Sequence, residues 1–475
     1  MVIKGYLFAL LYGAICLLLA LIAYKLGLSK NYTRKMVHIL IGFEWVILFA
    51  FFGGGIHTLS VCLIFTLLLI VTYFKKLTPM IASEGDNSPG TVYYGVAMSV
   101  MATVCLFVPK FILYFGIGVF TTSLGDGFAG LVGQSFKKCN PKIYGKKTLL
   151  GFLSNVLISF FVPFVFDKIF GLGFSLFECA MLGIFSAGVE LISTRGLDNI
   201  SVTFASSFLS FAFVYLDSYR HYIIPILLTP FIIALVLQKK ALTPFATVLA
   251  VILDVVISLT LGNFGFLLLL AFLVGSVLID KIKRKGKQEV TKRGEYRDAV
   301  QVIANGLIPM IFAMFFALKP SSAFLFAYIA SLAEAFADTA ASGIGSFANG
   351  AFDIFKWKKC EKGISGGVSR KGTAGAFVAS FFIPLLAMAF GMIRWQGLLI
   401  CSFAAFFGVF FDSFLGSLLQ VKYKCKKCGA LTEKEFHCKY RTQIVSGFEF
   451  FDNDVVNLFS GATTAIIAAI LAFLV

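Results

Sequence analysis

Two aspartates stand in matching surroundings in a chain that is otherwise largely apolar. Asp126-Gly-Phe-Ala129-Gly130-Leu-Val-Gly133 and Asp338-Thr-Ala-Ala341-Ser342-Gly-Ile-Gly345 each place a carboxylate, a small residue at i+4 and a glycine at i+7 on one helix face. A basic pair follows each, in Lys146-Lys147-Thr148-Leu-Leu-Gly151 and in Arg370-Lys371-Gly372-Thr373-Ala374-Gly375. An acidic residue comes next, Glu190 or Asp412, and then an Asp-Asn pair, Asp198-Asn199 or Asp452-Asn453. Carboxylates, cations and glycines in that order suit phosphate held by a divalent metal. Mg2+ takes carboxylate and phosphate oxygens, lysine adds a point charge, and a helix N-terminus offers unpaired N–H groups. On this reading Asp126, Asp338 and Asp412 hold Mg2+, Glu190 and Asp412 serve as metal ligand or base, and Lys147 and Lys371 bind the phosphate in transfer.

Plainer explanations compete with each feature. A helix-end aspartate can simply touch water or pair with lysine, and small residues at i and i+4 also mark close helix packing. A basic pair at a helix entrance can be an ordinary cytoplasmic loop, and Asp198 and Asp452 can be N-caps. Recurrence of the whole order favours chemistry for the aspartates, because an ionised group inside a membrane costs a few kcal/mol without a partner. Ser365-Gly366-Gly367-Val-Ser369-Arg370-Lys371-Gly372-Thr373 lacks the spacing of a soluble phosphate-binding loop.

The elements that must position these residues are membrane helices. The 475 residues are 59% hydrophobic with mean hydropathy +0.91, and lipid leaves no open backbone unsatisfied, so the expected fold is all-α and polytopic. Spans are expected at 5–24, 36–52, 57–74, 92–108, 111–133, 149–166, 173–193, 200–216, 222–238, 243–260, 263–280, 299–318, 322–345, 373–393, 396–420 and 454–474, about sixteen transmembrane helices. The formal charge of +17 is arranged by side: of 41 Lys and Arg, all but Lys4, Lys110, Lys168, Arg220, Lys319 and Arg394 fall in alternate loops. That pattern puts the basic loops in the cytoplasm and both termini outside, and it argues for lipid headgroups and a nucleotide as partners rather than nucleic acid.

The repeat extends upstream. Arg34-Lys35-Met-Val-His38 enters the second span as Arg297-Asp298-Ala-Val-Gln301 enters the twelfth, which makes Arg34, Lys35, His38 and Arg297 candidates for phosphate contact. With a break near 240, the chain reads as two related bundles of the same orientation, 1–240 and 241–475. Cysteines 16, 62, 105, 179 and 401 lie inside spans as small apolar residues. Cys425-Lys-Lys-Cys428 and His437-Cys438 have the ligand types and spacing of a structural zinc site in a polar loop.

Residues 30–200 resemble the dolichol kinase and phytol kinase family of CTP-dependent membrane kinases. The shared pieces are Arg34-Lys35-Met-Val-His38, Pro89-Gly90-Thr91-Val-Tyr93-Tyr94, Asp126-Gly-Phe-Ala129-Gly130 and Gly145-Lys146-Lys147-Thr148-Leu-Leu-Gly151. The resemblance implies a nucleoside triphosphate donor, typically CTP, and a long isoprenoid alcohol as acceptor. Residues 295–475 resemble the plastid phytyl-phosphate kinase family, which adds a second phosphate to an isoprenyl monophosphate. That likeness rests on Arg297-Asp298-Ala-Val-Gln301, Asp338, Ser365-Gly366-Gly367-Val-Ser369, Lys371-Gly372-Thr373, Asp412-Ser413-Phe-Leu-Gly416 and Asp452-Asn453-Asp454-Val-Val-Asn457. It departs from the family at Ala341-Ser342-Gly343-Ile-Gly345, where a glutamate is expected before the isoleucine.

Residues and resemblance meet in one expectation: a bifunctional isoprenoid alcohol kinase and isoprenyl-phosphate kinase. Phytol, farnesol or geranylgeraniol would become first the monophosphate and then the diphosphate at sites on the cytoplasmic ends of helices. Gly130, Lys146, Thr148, Gly151, Asp198, Asn199, Gly366, Gly367, Arg370, Thr373, Asp452, Asn453 and Asn457 complete the expected nucleotide and phosphate contacts. Two other functions fit the same features less fully, a CTP-dependent lipid cytidylyltransferase and a secondary transporter built from a repeat.

Overall fold

A computed structural model describes residues 2–75, 89–135, 140–193, 196–239, 241–285, 297–355, 358–360, 365–433, 436–438 and 440–474, without the side chains of 217, 218, 282–285 and 437. Most of the basic loop between Lys281 and Asp298 lies outside the described residues. The chain is an all-α polytopic membrane protein that divides into two compact units, residues 1–234 and 235–475.

The first unit contains α1 (Val2–Lys25), α2 (Lys30–Ile41), α3 (Glu44–Phe52), α4 (Ile56–Phe74), α5 (Gly90–Phe107) and α6 (Phe111–Phe120). A π-helical turn, Thr121–Asp126, joins α6 to α7 (Gly127–Ser135). The hairpin of β1 (Lys142–Tyr144) and β2 (Lys147–Thr148) then leads into α8 (Leu149–Phe170), α9 (Leu176–Ile192), α10 (Asp198–Tyr215) and α11 (Ile223–Gln238), the last of which runs past the boundary.

The second unit contains α12 (Pro244–Lys285), α13 (Ala299–Leu318) and α14 (Ser322–Gly345). A small sheet of β3 (Ala351–Asp353), β4 (Lys358–Cys360) and β5 (Gly367–Val368) precedes α15 (Arg370–Ser380), α16 (Phe382–Ala389) and α17 (Trp395–Leu418). Five short strands follow: β6 (Lys422–Lys424), β7 (Leu431–Thr432), β8 (Phe436–His437), β9 (Tyr440–Arg441) and β10 (Gln443–Ser446). α18 (Asn453–Leu471) completes the unit.

Thirteen helices among the described residues are long and apolar enough to cross a bilayer. The sequence predicts sixteen spans, and three elements make the difference. α9 has 17 residues, and the 18 of α10 include four serines and a threonine, so neither is counted among the thirteen. The expected pair 243–260 and 263–280 corresponds to the two helical stretches of α12, which meet at Gly262, where φ 64° and ψ −153° break the helix in a conformation that glycine adopts without strain; together they count once among the thirteen.

One segment in each unit is enclosed by its neighbours. Phe111–Ser135 is 78% buried over its most apolar stretch and Ser322–Gly345 is 83% buried, against 44% or less for every other candidate span. Alanine, glycine and serine dominate the buried face of α14, which lets the surrounding helices approach closely. These two enclosed segments carry Asp126 and Asp338, so both carboxylates are screened from lipid by protein.

Candidate active site

In the first unit, Asp126 ends the π-helical turn, a widened coil that re-aims the side chains after it. Its Oδ2 accepts from Lys35 Nζ at 2.6 Å, and Lys35 also donates to the Asp126 carbonyl at 3.1 Å. His38, one turn further along α2, sets Nε2 3.5 Å from the same carboxylate and 3.2 Å from the Thr122 carbonyl. Gly130 makes room for this lysine, since a Cβ there would lie 2.4 Å from Lys35 Cε. Gly130 thus leaves space for a cation beside Asp126.

Lys147 reaches from β2 to the C-terminal end of α9, where it donates to both the carboxylate and the carbonyl of Glu190. Asp198 opens α10, its Oδ1 accepting from the Asn199 amide at 3.1 Å. The fold gathers these groups: one carboxylate oxygen from each of Asp126, Glu190 and Asp198 lies within 4.8 Å of the others. Three carboxylates that close repel unless cations stand among them, and an all-oxygen donor set suits Mg2+. Asn199 donates to the Gly90 carbonyl at 2.9 Å, while its buried Oδ1 has no partner among the described residues. Tyr94, from the same α5 motif, packs its ring edge-on to His38 at 5.7 Å.

The remaining candidates of this unit divide into groups near the cluster and groups that shape it. Arg34 is half-buried on α2, and Lys146 is exposed at the hairpin turn beside Gly145, whose φ is 55°. Thr148 occupies the N-cap position of α8, but its hydroxyl accepts from Asn140 Nδ2 at 3.0 Å. Asn140, which sequence reasoning missed, takes the Leu150 amide at 2.8 Å and so uses one of the free donors of α8. Gly151 is a packing residue: a Cβ there would lie 2.8 Å from the Ala129 carbonyl oxygen.

The second unit builds a different centre. Glu334, one turn before Asp338 on α14 and 2% exposed, accepts from Ser460 Oγ at 2.8 Å. Ser460 Oγ also lies 3.4 Å from Asp412 Oδ2 and 3.1 Å from the Asn457 carbonyl. The Ser460 hydroxyl, with one proton, is thus shared among a carboxylate of α14, a carboxylate of α17 and a carbonyl of its own helix. Asn457, with its carboxamide turned to satisfy both contacts, donates to Asp412 Oδ2 at 3.1 Å and to the Asn453 carbonyl at 3.0 Å. Glu334 and Ser460 were not among the sequence candidates. The available signal was an acidic residue at i−4 from Asp338 on an apolar helix.

The basic residues expected here stand elsewhere. Lys371 is exposed and donates to the Phe347 carbonyl at 3.1 Å, and Arg297 pairs with Asp280 at 2.6 Å. Asp452 is an N-cap, accepting the Asp454 and Val455 amides at 3.0 Å each, and Asn453 follows it in the first turn of α18. Gly366, with φ 87°, packs where a Cβ would meet the Ser417 backbone at 2.6 Å, and Gly367 lies in β5. Arg370 and Thr373 line an open, largely apolar groove of about 630 Å3, together with Phe377, Phe406 and Phe410.

The glycines also correct the register of the repeat. A Cβ at Gly151 would meet the Ala129 carbonyl oxygen at 2.8 Å, and one at Gly372 would meet that of Ala341 at 3.0 Å. A Cβ at Gly133 would lie 2.9 Å from Thr148 Oγ1, and one at Gly345 3.3 Å from Ser369 Oγ. Thr148 therefore corresponds to Ser369, and Gly151 to Gly372 rather than Gly375. Lys146-Lys147 then match Gly367-Val368, while Arg370-Lys371 follow the cap inside α15. The two basic pairs are not equivalent.

Fold and site together define a polytopic, all-helical membrane protein with a carboxylate-rich polar centre in each unit. The family model for integral membrane protein DUF92 matches residues 227–465, just over half of the chain, and the chain belongs to that family. It is similar to a phytol kinase from Synechocystis sp., 31% identical over 213 residues that make up 40% of this chain and 84% of the relative. Uncharacterized membrane protein sll0875 of the same organism is 31% identical over 208 residues, 42% of this chain and 80% of the relative. Protein VTE6, chloroplastic, of Arabidopsis thaliana is 23% identical over 219 residues, 44% of this chain and 59% of the relative. No solved structure matches the chain.

Proposed function

We propose that the first unit transfers phosphate from a Mg-nucleoside triphosphate, CTP by resemblance, to an isoprenoid alcohol of the phytol, farnesol or geranylgeraniol type. The second unit then phosphorylates the monophosphate to the diphosphate. The observation that carries this reading is the cluster of Asp126, Glu190 and Asp198 with Lys35 and Lys147 among its carboxylates. Similarity to a phytol kinase supports a nucleotide donor and a prenol acceptor.

Asp126, Glu190 and Asp198 would hold Mg2+, which supplies charge neutralisation and orientation of the phosphoryl oxygens. Lys147, beside these carboxylates, would pair with phosphate, and Lys35 keeps Asp126 aimed through its short contact and through the Asp126 carbonyl. Where Glu190 instead stays off the ion, it is the base that would accept the proton of the attacking hydroxyl. A prenol places its hydroxyl at headgroup level while the nucleotide stays in water, so a site at helix ends serves both. In the second unit, the groove of Phe377, Phe406 and Phe410 beside Ser369, Arg370 and Thr373 suits an apolar chain that ends in phosphate.

Purified protein given gamma-labelled CTP and a panel of prenols tests the reading. Label should appear in lipid monophosphate and then diphosphate, and Asp126→Asn should give neither from the alcohol. Transfer of the alpha label with cytidine would mean a cytidylyltransferase instead. Normal diphosphate formation by Asp338→Asn would remove the second unit from the pathway.

A further inference from the structure

A cluster outside both carboxylate centres carries its own chemistry. Cys425 and Cys428 lie in the turn between β6 and β7, and Cys438 follows β8; one sulfur from each lies within 4.8 Å of the other two. Tetrahedral Zn2+ with Zn–S near 2.3 Å separates its sulfurs by about 3.8 Å, so small side-chain adjustments bring all three into its shell.

The backbone around the turn is already shaped for a metal. The Gly429 amide donates to the Cys425 carbonyl at 2.9 Å, the Cys425 amide to the Ala430 carbonyl at 3.0 Å, and the Lys427 amide to Cys425 Sγ at 3.4 Å. An N–H aimed at sulfur favours the thiolate, the form that binds metal. Gly429, at φ 72°, permits the reversal. Cys438 has φ 51°, the one positive value outside glycine among the described residues, and such a conformation persists where something beyond local sequence holds it. Lys427 sits 5.9 Å over the Tyr440 ring, drawing the β8–β9 hairpin toward the turn. Strands of two to four residues bury too little to hold themselves together, and small units of this kind rely on a metal or a disulfide.

We propose that Cys425, Cys428 and Cys438 bind one zinc ion, and that the ion holds in place the segment leading into α15. The side chain of His437, the further ligand that the sequence suggests, lies outside the described residues. Thiolates select zinc over the oxygen-seeking Mg2+ of the carboxylate centres. The link to α15 runs through Glu433, directly after β7 and 8% exposed. Its Oε1 accepts from the Ser365 amide at 3.1 Å and from the Ser365 hydroxyl. Ser365 precedes Gly366, whose left-handed backbone sits against Ser417, and the chain continues through β5 to Ser369, which caps α15 by accepting from Gly372 N at 3.1 Å. Fixing the Cys425–Cys428 turn thus fixes Glu433, and Glu433 fixes the entrance of α15.

This inference stands apart from the proposed reaction, because zinc content and amide exchange read no turnover. Full-length protein purified under reducing conditions without added metal should contain about one zinc per chain. Cobalt substitution should give thiolate-to-cobalt charge-transfer absorption, and Cys428→Ser and Cys438→Ser should each remove the zinc. Hydrogen exchange at residues 365–369 should rise on chelation. It should rise equally in Glu433→Gln with zinc retained, while exchange in α8 stays unchanged under both treatments. Zinc-free protein, or a disulfide between two of these cysteines, would overturn the site. Zinc-loaded protein whose exchange at 365–369 ignores both chelation and Glu433→Gln would overturn the link.

Discussion

Thr148 in the first unit and Ser369 in the second stand at one and the same junction, a cap before a helix whose third residue is a glycine laid against a carbonyl of the aspartate helix. Around that shared joint the charges differ. In the first unit Lys35 and Lys147 enter the carboxylate cluster from α2 and β2. In the second, the sequence position that matches Lys35 is Asp298, which caps α13 by accepting from Gln301 N at 3.0 Å, and the structural match of Lys147 is Val368. Glu334 and Asp412 are met by a hydroxyl and a carboxamide, which hydrogen-bond a carboxylate without balancing its charge. The comparison teaches that a repeat conserves the packing that lets two helices cross, while the electrostatics built on it can be changed residue by residue. On the function proposed above, two chemically related but distinct acceptors, an uncharged alcohol and a charged monophosphate, would be a reason for such a change.

The largest expected effect separates the two centres outright. Asp126→Asn should cut alcohol phosphorylation by about a hundredfold or more, whereas Asp338→Asn should leave that step intact and accumulate monophosphate, both read by thin-layer separation of labelled lipids. Next comes the non-equivalence of the basic pairs: Lys147→Ala should cost about a hundredfold in kcat. Lys371→Ala, at an exposed site, should change either step by about twofold at most. Equal losses from both lysines would restore the simple repeat. Glu334→Gln should lower the second step by about tenfold through its lost charge-assisted bond to Ser460 and leave the first step untouched. Gly151→Ala and Gly372→Ala should each reduce stability by about 1–3 kcal/mol, seen as a lower Tm, because both drive a methyl into a carbonyl oxygen. If only one destabilises, the matched register of the two joints is wrong. The smallest change is Asp452→Ala, which should cost about 1 kcal/mol as a lost helix cap, with turnover in both steps unaltered.

Much of this was legible in the chain itself. Asp126, Glu190 and Asp198 are carboxylates at the ends of apolar segments, and the cost of placing such groups near lipid marks them before any geometry is known. Asp412 was legible in the same way and Asn457 through the resemblance carried by residues 452–457, and the two meet at 3.1 Å. Glu334 was harder to see, because it lies in the middle of a span and the first unit has Thr122 at the matching position. Lys371 was paired with Lys147 because adjacent basic residues align readily in sequence, while a cap and a glycine three residues on, which set the structural register, are spread among common residue types.

Sequence by itself determined that this chain is a bundle of membrane helices, since hydropathy over twenty-residue stretches and the demand for a satisfied backbone leave no other class of fold. It also determined which residue types carry charge into that bundle. Only the tertiary structure decided which of them meet: Lys35 lies 91 residues before Asp126 and Lys147 lies 43 before Glu190. Contacts across such separations depend on which helices cross and at what height, and crossing is set by small residues such as Gly130 and Gly151 that leave a cation or a carbonyl the space to approach.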